Sequence, residues 1–314
     1  MTCQEGKYMK NVVGSLIIML GILVVMASAS VWAQEASTSE AEAPEASGQA
    51  EEAIPDPKSL GPWWLYSAKK YDPIYPKWLF HIEGNLSISD MSGNVEGSTY
   101  FGSAQVVARK NIFTNTVLYD LMKSDYTTVA TGSDVDDEKQ LLSDLVRVDL
   151  TERLSVQGGL SWVKDTAAYI ENRYTYFLGL GYVLLQTPKH FLSFGAYGGF
   201  DDVEYTQKAK STALELGTVI EDEDGNALYG EQRYSWFVTE AISFNEGFKY
   251  LQYTEDSDKY RWELNLGVAA QVIGPVAVTA NYLIKYDNNP TIREAIPTYE
   301  KEDKILSVGI QVSY

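Results

Sequence analysis

The chain has 314 residues, 45% of them hydrophobic, enough for one large core or two modest ones. Its 43 acidic against 25 basic side chains give a formal charge of -18, which argues against a binder of nucleic-acid phosphates. One cysteine, Cys3, and two histidines, His81 and His190, exclude a disulfide framework and leave little for a metal cluster or a histidine-based catalytic centre.

Residues 1–33 read as a secretory signal. Lys7 and Lys10 supply a positive start, and Val12 to Met26 is an apolar run broken only by Gly14, Ser15 and Gly21. Val31-Trp32-Ala33 offers a cleavage site before Gln34, with Ala27-Ser28-Ala29 as the other candidate. The apolar run falls short of the roughly 20 residues a membrane-spanning helix needs, so cleavage is expected rather than anchoring. Cys3 precedes that run, so it is not a lipobox cysteine, and the mature chain would hold no thiol. Residues 34–62 are rich in Ala, Glu, Ser and Pro and bury too little to offset ordering entropy, so a disordered acidic spacer is expected. An aromatic and Pro-rich lead-in, 63–77, follows.

From Trp78 to Tyr314 the dominant period is 2, which places alternate side chains on opposite faces of a strand. In the clearest run Tyr260, Trp262, Leu264, Leu266, Val268, Ala270 and Val272 share one face, while Arg261, Glu263, Asn265, Gly267, Ala269 and Gln271 share the other. The same reading predicts strands at 78–89, 97–110, 113–126, 139–150, 153–165, 172–185, 190–206, 232–244, 247–256, 259–273, 276–287 and 302–314. That makes about twelve, with ten or fourteen compatible with the same pattern.

The connections alternate in length. Lys110-Asn111-Ile112, Thr151-Glu152-Arg153, Thr187-Pro188-Lys189, Asn245-Glu246-Gly247 and Gly274-Pro275 read as tight turns. Between them fall longer polar segments at 126–138, 166–171, 206–231 and 288–301, a pattern that fits short periplasmic turns and longer external loops. Pro188, Pro275, Pro290 and Pro297, the only prolines after residue 77, all fall in connections, as the ladder requires.

Alternation alone does not separate a soluble secreted sandwich from a membrane barrel. Strands of 10–14 residues suit a tilted span. Aromatics gather at strand ends, among them Trp78, Phe113, Trp162, Tyr174, Tyr182, Trp236, Trp262, Tyr282 and Tyr286, as an interfacial girdle requires. Tyr314 closes an alternating strand, resembling the signal by which the barrel-assembly machinery recognises its clients. The expectation is an all-β chain: a single antiparallel up-and-down transmembrane barrel at 78–314 in an outer membrane, its partners lipid and that machinery. Glu240 is out of place in this scheme, because it shares a face with Trp236, Val238, Ile242 and Phe244, which calls for a bulge, a partner subunit or a shifted register.

Gly84, the Ser92-Gly93-Asn94 turn, Tyr286-Asp287-Asn288-Asn289-Pro290, Asp303 and the closing Ser307-Val308-Gly309-Ile310-Gln311-Val312-Ser313-Tyr314 resemble the DUF481 family, whose members are often labelled salt-induced outer-membrane proteins. The resemblance covers 78–314 and implies an outer-membrane barrel. It carries over no catalytic residue. Val95 and Tyr314 depart from the family's Thr and Phe, and the 206–231 insertion is unusual for it.

The faces expected to line the lumen carry His81, Glu83, Gln105, Arg109, Asp120, Arg147, Asp149, Arg261, Glu263 and Lys285. These charges suit either a narrow conduit for small solutes or ions, or mutual pairing that plugs the barrel; twelve strands leave far less room than a 16–18-stranded porin. No Gly-x-Ser-x-Gly elbow is present, His81 reads as a lumen residue and His190 as a turn residue, so no enzyme, cofactor or metal is expected, with lipid hydrolysis or acyl transfer as the alternative. The acidic runs Asp134–Glu138 and Glu221–Asn226 lack a full calcium-loop pattern and read as solvated loops, with Asp224-Gly225 as a hairpin tip.

Overall fold

The computed structural model describes residues 60–91, 95–128, 133–288 and 301–314. The signal, its cleavage site, most of the acidic tail, the Ser92-Gly93-Asn94 turn and the loop carrying Pro290 and Pro297 lie outside the described residues.

Twelve antiparallel strands form one closed barrel in simple up-and-down order. They are β1 (Leu79–Met91), β2 (Val95–Lys110), β3 (Phe113–Thr128), β4 (Ser133–Asp149), β5 (Leu154–Asp165) and β6 (Ile170–Gln186), then β7 (His190–Tyr205), β8 (Glu223–Phe237), β9 (Ile242–Tyr253), β10 (Tyr260–Ile273), β11 (Val276–Asp287) and β12 (Glu302–Ser313). Closure is made by β1 and β12, from Glu83 opposite Ser313 to Ile88 opposite Val308. Tyr314 completes the seam, exchanging N–H···O bonds of 2.8 and 2.9 Å with Ile82. Gly309 is required there, since a Cβ at that position would lie 2.3 Å from the Leu86 carbonyl oxygen.

The apolar rows face outward. Phe80, Ile82, Leu86 and Ile88 of β1, Leu178 and Leu180 of β6, and Leu306, Val308 and Ile310 of β12 are all exposed. A sandwich would bury such rows between layers; here the sheet closes on its polar faces instead. A continuous exposed apolar belt of this size is matched by acyl chains, not by water. Aromatic stacks mark both rims of the belt. Tyr250, Tyr260, Tyr286 and Trp262 form a run of stacked and tilted rings near the loop end, the last pair 5.5 Å apart, while Trp78 lies against Phe80 near the turn end.

Three of the tight turns share one device. Thr151, Thr187 and Thr239 each accept, through Oγ1, the backbone N–H of the residue three positions on, at 2.9 Å to Leu154 and 3.0 Å to both His190 and Ile242. Asn111 and Gly274, at φ of 53° and 52°, supply the left-handed residue of two others.

The third threonine turn corrects the sequence reading of β8 and β9. The turn is at 238–241, and Asn245-Glu246-Gly247 lies within β9. Glu240 therefore sits exposed in a turn, and the shifted register removes its conflict with lipid. The insertion is also corrected. Strand β8 begins at Glu223, so Asp224 and Gly225 pair with Asp202 and Asp201 rather than forming a hairpin tip. Before it runs helix α1 (Gln207–Glu215), capped by Thr206. The helix buries Ala209 and Ala213 against Ile170, Val203, Tyr205 and Ile220. Asp222 accepts from the Tyr205 N–H and Lys210, both at 2.8 Å, which outweigh burial and hold its carboxyl below the usual range. The run Asp134–Glu138 is likewise part of β4, paired with β3.

Leu178, 65% exposed at the middle of β6, tests the direction of the belt. Leu178→Arg is expected to cost about 2–4 kcal/mol in lipid-vesicle unfolding titrations. On a water-facing surface the same change stays within about 0.5 kcal/mol.

Candidate functional site

The lead-in does not stay outside the barrel. Residues 60–77 fold into the mouth at the turn end, where Leu60 and Trp63 bury against Leu79 and Val107. Leu60, expected within the disordered tail, is thus part of a packed cluster. Trp64 stacks flat on His81, ring centroids 3.8 Å apart. A short 3-10 turn, Ala68–Lys70, is capped by Ser67. An irregular segment inside a barrel exposes backbone groups that the ladder does not pair, and each must find a partner. Arg109 donates to the Tyr66 carbonyl at 2.5 Å, and Arg147 donates to the carbonyls of Tyr66 at 2.9 Å and Leu65 at 3.2 Å. Asp149, itself 3.2 Å from Arg147, accepts the Ala68 N–H at 2.7 Å. Tyr66 and Ser67 donate their hydroxyls to the carbonyls of Thr187 and Thr151. Tyr71 donates to Leu60 at 2.7 Å, and burial pushes its phenol up to about 12, so it remains a neutral donor. These barrel partners all belong to the β1–β7 side of the mouth.

Above this plug the lumen opens. A cavity of about 60 Å³ over Trp64 and Ser67 and a larger one of about 390 Å³ share Leu145, Glu231 and Arg233 as wall. Arg233 is 47% exposed although it points inward at mid-height, so the lumen is not packed solid. Tyr197 lies across Gly195, where a Cβ would fall 2.1 Å from its hydroxyl, and donates to Glu231 at 2.7 Å.

The larger cavity has two unlike walls. Along one, cross-strand register places Asp303 opposite Lys285, Lys285 opposite Glu263, Glu263 opposite Lys249, and Lys249 opposite Glu231. Five side chains on β12 to β8 therefore alternate in sign along one cross-strand row. On the facing wall, β3 to β5 contribute Leu118, Leu141, Leu145 and Val163, with the Lys139–Asp165 pair at 3.2 Å beside them. In a ring of twelve, β4 stands diametrically opposite β10, yet Lys139 lies within electrostatic reach of Glu263. The lumen is therefore narrow at this level.

A strut lies towards the loop end. Asp201 is fully buried and meets Arg173 at 3.6 Å and Arg261 at 3.2 Å. Thr175 also donates to it, as does Tyr253 at 2.6 Å. Arg261 reaches it from three strands away, and the Tyr253 ring lies over Gly225, where a Cβ would press it at 3.2 Å.

The structure thus divides the sequence candidates into three groups. Arg109, Arg147, Asp149 and His81 hold or touch the plug, with Glu83 3.7 Å from His81. Asp120, Glu263 and Lys285 stand at the narrow level, Asp120 opposite Ser103. Arg261 belongs to the strut. Lys139, Asp165, Asp201, Glu231 and Lys249 complete these groups and were missed, although strand parity puts them on the same inward faces. His190 bonds the Tyr234 hydroxyl at 3.0 Å at the turn end of the outer face. Among the described residues no group of three or more His, Cys, Asp or Glu is placed to hold a metal.

The sequence profile of DUF481, described as a protein of unknown function, matches residues 84–314. The chain belongs to the DUF481 family. Among solved structures this DUF481 barrel is similar to a NanC porin at 12% identity and a TM-score of 0.41, over 75% of this chain and 98% of that one. It is similar to an outer-membrane channel from Pseudomonas putida F1 at 10% identity and 0.44, over 86% and 100%. The translocator domain of the autotransporter NalP from Neisseria meningitidis gives 11% and 0.38, over 76% and 87%. No curated protein matches the chain. These likenesses assign the DUF481 barrel neither cargo nor mechanism.

Arg147→Ala removes the partner of a buried carboxylate and two donors to the plug. The barrel is expected to persist while local opening of 60–71 becomes easier by about 1–3 kcal/mol. Amide exchange in that segment should then accelerate roughly ten- to hundredfold, while β10 and β11 exchange as before.

Proposed function

We propose that this protein is an outer-membrane barrel with a narrow, charge-lined conduit for small solutes or ions, throttled at its periplasmic mouth by residues 60–77. The outward apolar belt with aromatic rims supports the location, and the short turns at the plugged end support its periplasmic orientation. The conduit reading rests on one observation above all. A cavity of about 390 Å³, within the roughly 300–1,000 Å³ of small-molecule sites, lies inside the barrel beside inward-pointing, water-exposed charges. The strand ending at Tyr314 is the segment through which barrel-assembly machinery would engage the chain.

A second reading, a sealed barrel serving the envelope structurally, is favoured by the plug itself. Its hydrogen bonds to the barrel go to residues 43–121 positions away and are mostly backbone-directed, as a permanent fitting would be. Planar-bilayer recording separates the two. The full-length protein is expected to give a small conductance, and the Arg109→Ala/Arg147→Ala variant a larger one, because the plug partners are gone. Silence from both proteins, with each correctly inserted by protease protection, would reject the conduit and leave the sealed barrel.

A further inference from the structure

The narrow level carries more information than its width. Resting on the conduit reading, we infer that it is a recognition site for small zwitterions bearing an apolar substituent, the chemistry of a free aliphatic α-amino acid. Directly opposed residues on neighbouring strands have Cβ atoms about 4.5–5.5 Å apart, so adjacent members of the Asp303, Lys285, Glu263, Lys249, Glu231 row present opposite charges within reach of one small solute.

Alternation decides what that row accepts. A simple anion drawn to Lys249 meets Glu263 on one side and Glu231 on the other. A simple cation drawn to Glu263 meets Lys249 and Lys285. At the Lys249–Glu263 step an anion gains one attraction against two repulsions, and a cation one against three, because Lys139 also approaches Glu263 from the facing wall. A molecule holding a carboxylate and an ammonium side by side sets the first on a lysine and the second on the adjoining glutamate. It thereby matches the wall instead of fighting it. Four members of the row, Lys285, Glu263, Lys249 and Glu231, together with Asp303, line one cavity, so the match is made at contact distance, where screening is weakest.

The facing wall supplies the second half of the specificity. Leu118, Leu141, Leu145 and Val163 line the same cavity from β3 to β5. With the charged head on the β8–β12 wall, an aliphatic side chain projects across the narrow lumen onto these four residues and leaves water. Glycine fills the charged row but forfeits that contact.

Four probes separate the terms: L-leucine, 4-methylpentanoate, which lacks the ammonium, 3-methylbutylamine, which lacks the carboxylate, and glycine. Binding is measured by equilibrium dialysis against the detergent-solubilised full-length protein, which does not depend on conduction. L-leucine is expected to bind about tenfold or more tighter than each of the others, the scale of one charge-assisted hydrogen bond or a buried aliphatic side chain. Equal binding of all four, tighter binding of either single-charge analogue, or no binding of L-leucine overturns the inference.

Two variants guard against trivial loss of structure by shifting preference in opposite senses. Glu263→Gln should raise the relative affinity for 4-methylpentanoate, and Lys249→Gln should raise that for 3-methylbutylamine. A parallel loss of all four probes in both variants, with barrels still folded by heat-modified gel migration, counts against the site. Uptake of L-leucine into proteoliposomes separates this inference from the conduit. Binding without uptake rejects the conduit and keeps the site, whereas uptake ordered by size alone, without binding, keeps the conduit and rejects the site.

Discussion

A β-sheet bounded by acyl chains finds no water to satisfy an open edge, so the whole architecture follows from closing one ladder. The closing pair is the shortest in the barrel. Paired positions run only from Glu83 to Ile88 on β1, against thirteen residues joined between β1 and β2. The main-chain exchange between Tyr314 and Ile82 extends that seam by one more rung, and Gly309 allows the backbones to approach. Once the ring is shut, strand pleating leaves no choice of face. The apolar rows meet lipid, and every inward residue must be reconciled with its neighbours across a confined lumen.

That reconciliation takes three forms along the axis. At the turn end, charged side chains are satisfied by backbone. Arg109 and Arg147 bond carbonyls of the lead-in, and Asp149 accepts one of its amides. At the narrow level they are satisfied by one another through cross-strand alternation. Towards the loops a single buried carboxylate, Asp201, gathers two arginines, a threonine and a tyrosine. A buried ion pair contributes little net stability, but an unpaired buried charge is costly, so each group is better understood as closing an electrostatic account opened by the topology. The plug is part of the same logic, since the arginines at the mouth would otherwise point into an empty polar cavity.

Alternation in the sequence was enough to reveal the strands because period 2 is imposed locally, residue by residue. It was also enough to place Arg261 opposite in facing to Trp262, and Glu263 to Leu264. Register across strands is a different kind of information. The turn at Asn245-Glu246-Gly247 looked credible on composition, but Thr239-Glu240-Ala241-Ile242 repeats Thr151-Glu152-Arg153-Leu154 in form. In both, the threonine hydroxyl receives the amide three residues on. That repeat was a readable signal, and it would have moved Glu240 into solvent without invoking a bulge. The plug carried no such signal. Trp63, Trp64 and Tyr66 form an aromatic cluster whose partners, Val107, His81 and Phe191, are fixed only when distant strands come together. Helix α1 escaped for a related reason. Its stretch is weakly amphipathic, and its two buried alanines acquire meaning only against Val203 and Ile220.

The interior is also lopsided, and the cause lies in side-chain size. On the β5–β8 side Phe177, Tyr197 and Tyr229 lean over inward glycines and fill the lumen. On the β9–β12 side the inward positions below the charged row mix Gly247, Gly267, Ala269, Ala277 and Gly309 with the larger Asn265, Gln271, Asn281, Leu283 and Gln311, and a Cβ at Gly247 would meet open space while one at Gly267 or Gly309 would not. The described hydrogen bonds of the plug go to β2, β4 and the β4–β5 and β6–β7 turns. Free volume lies where the alternating row faces Leu118, Leu141, Leu145 and Val163. The interior is thus divided by role: the plug is tied to β2 and β4, while the alternating charges run across β8 to β12, so the two sets of polar groups are satisfied on different sides of the same ring.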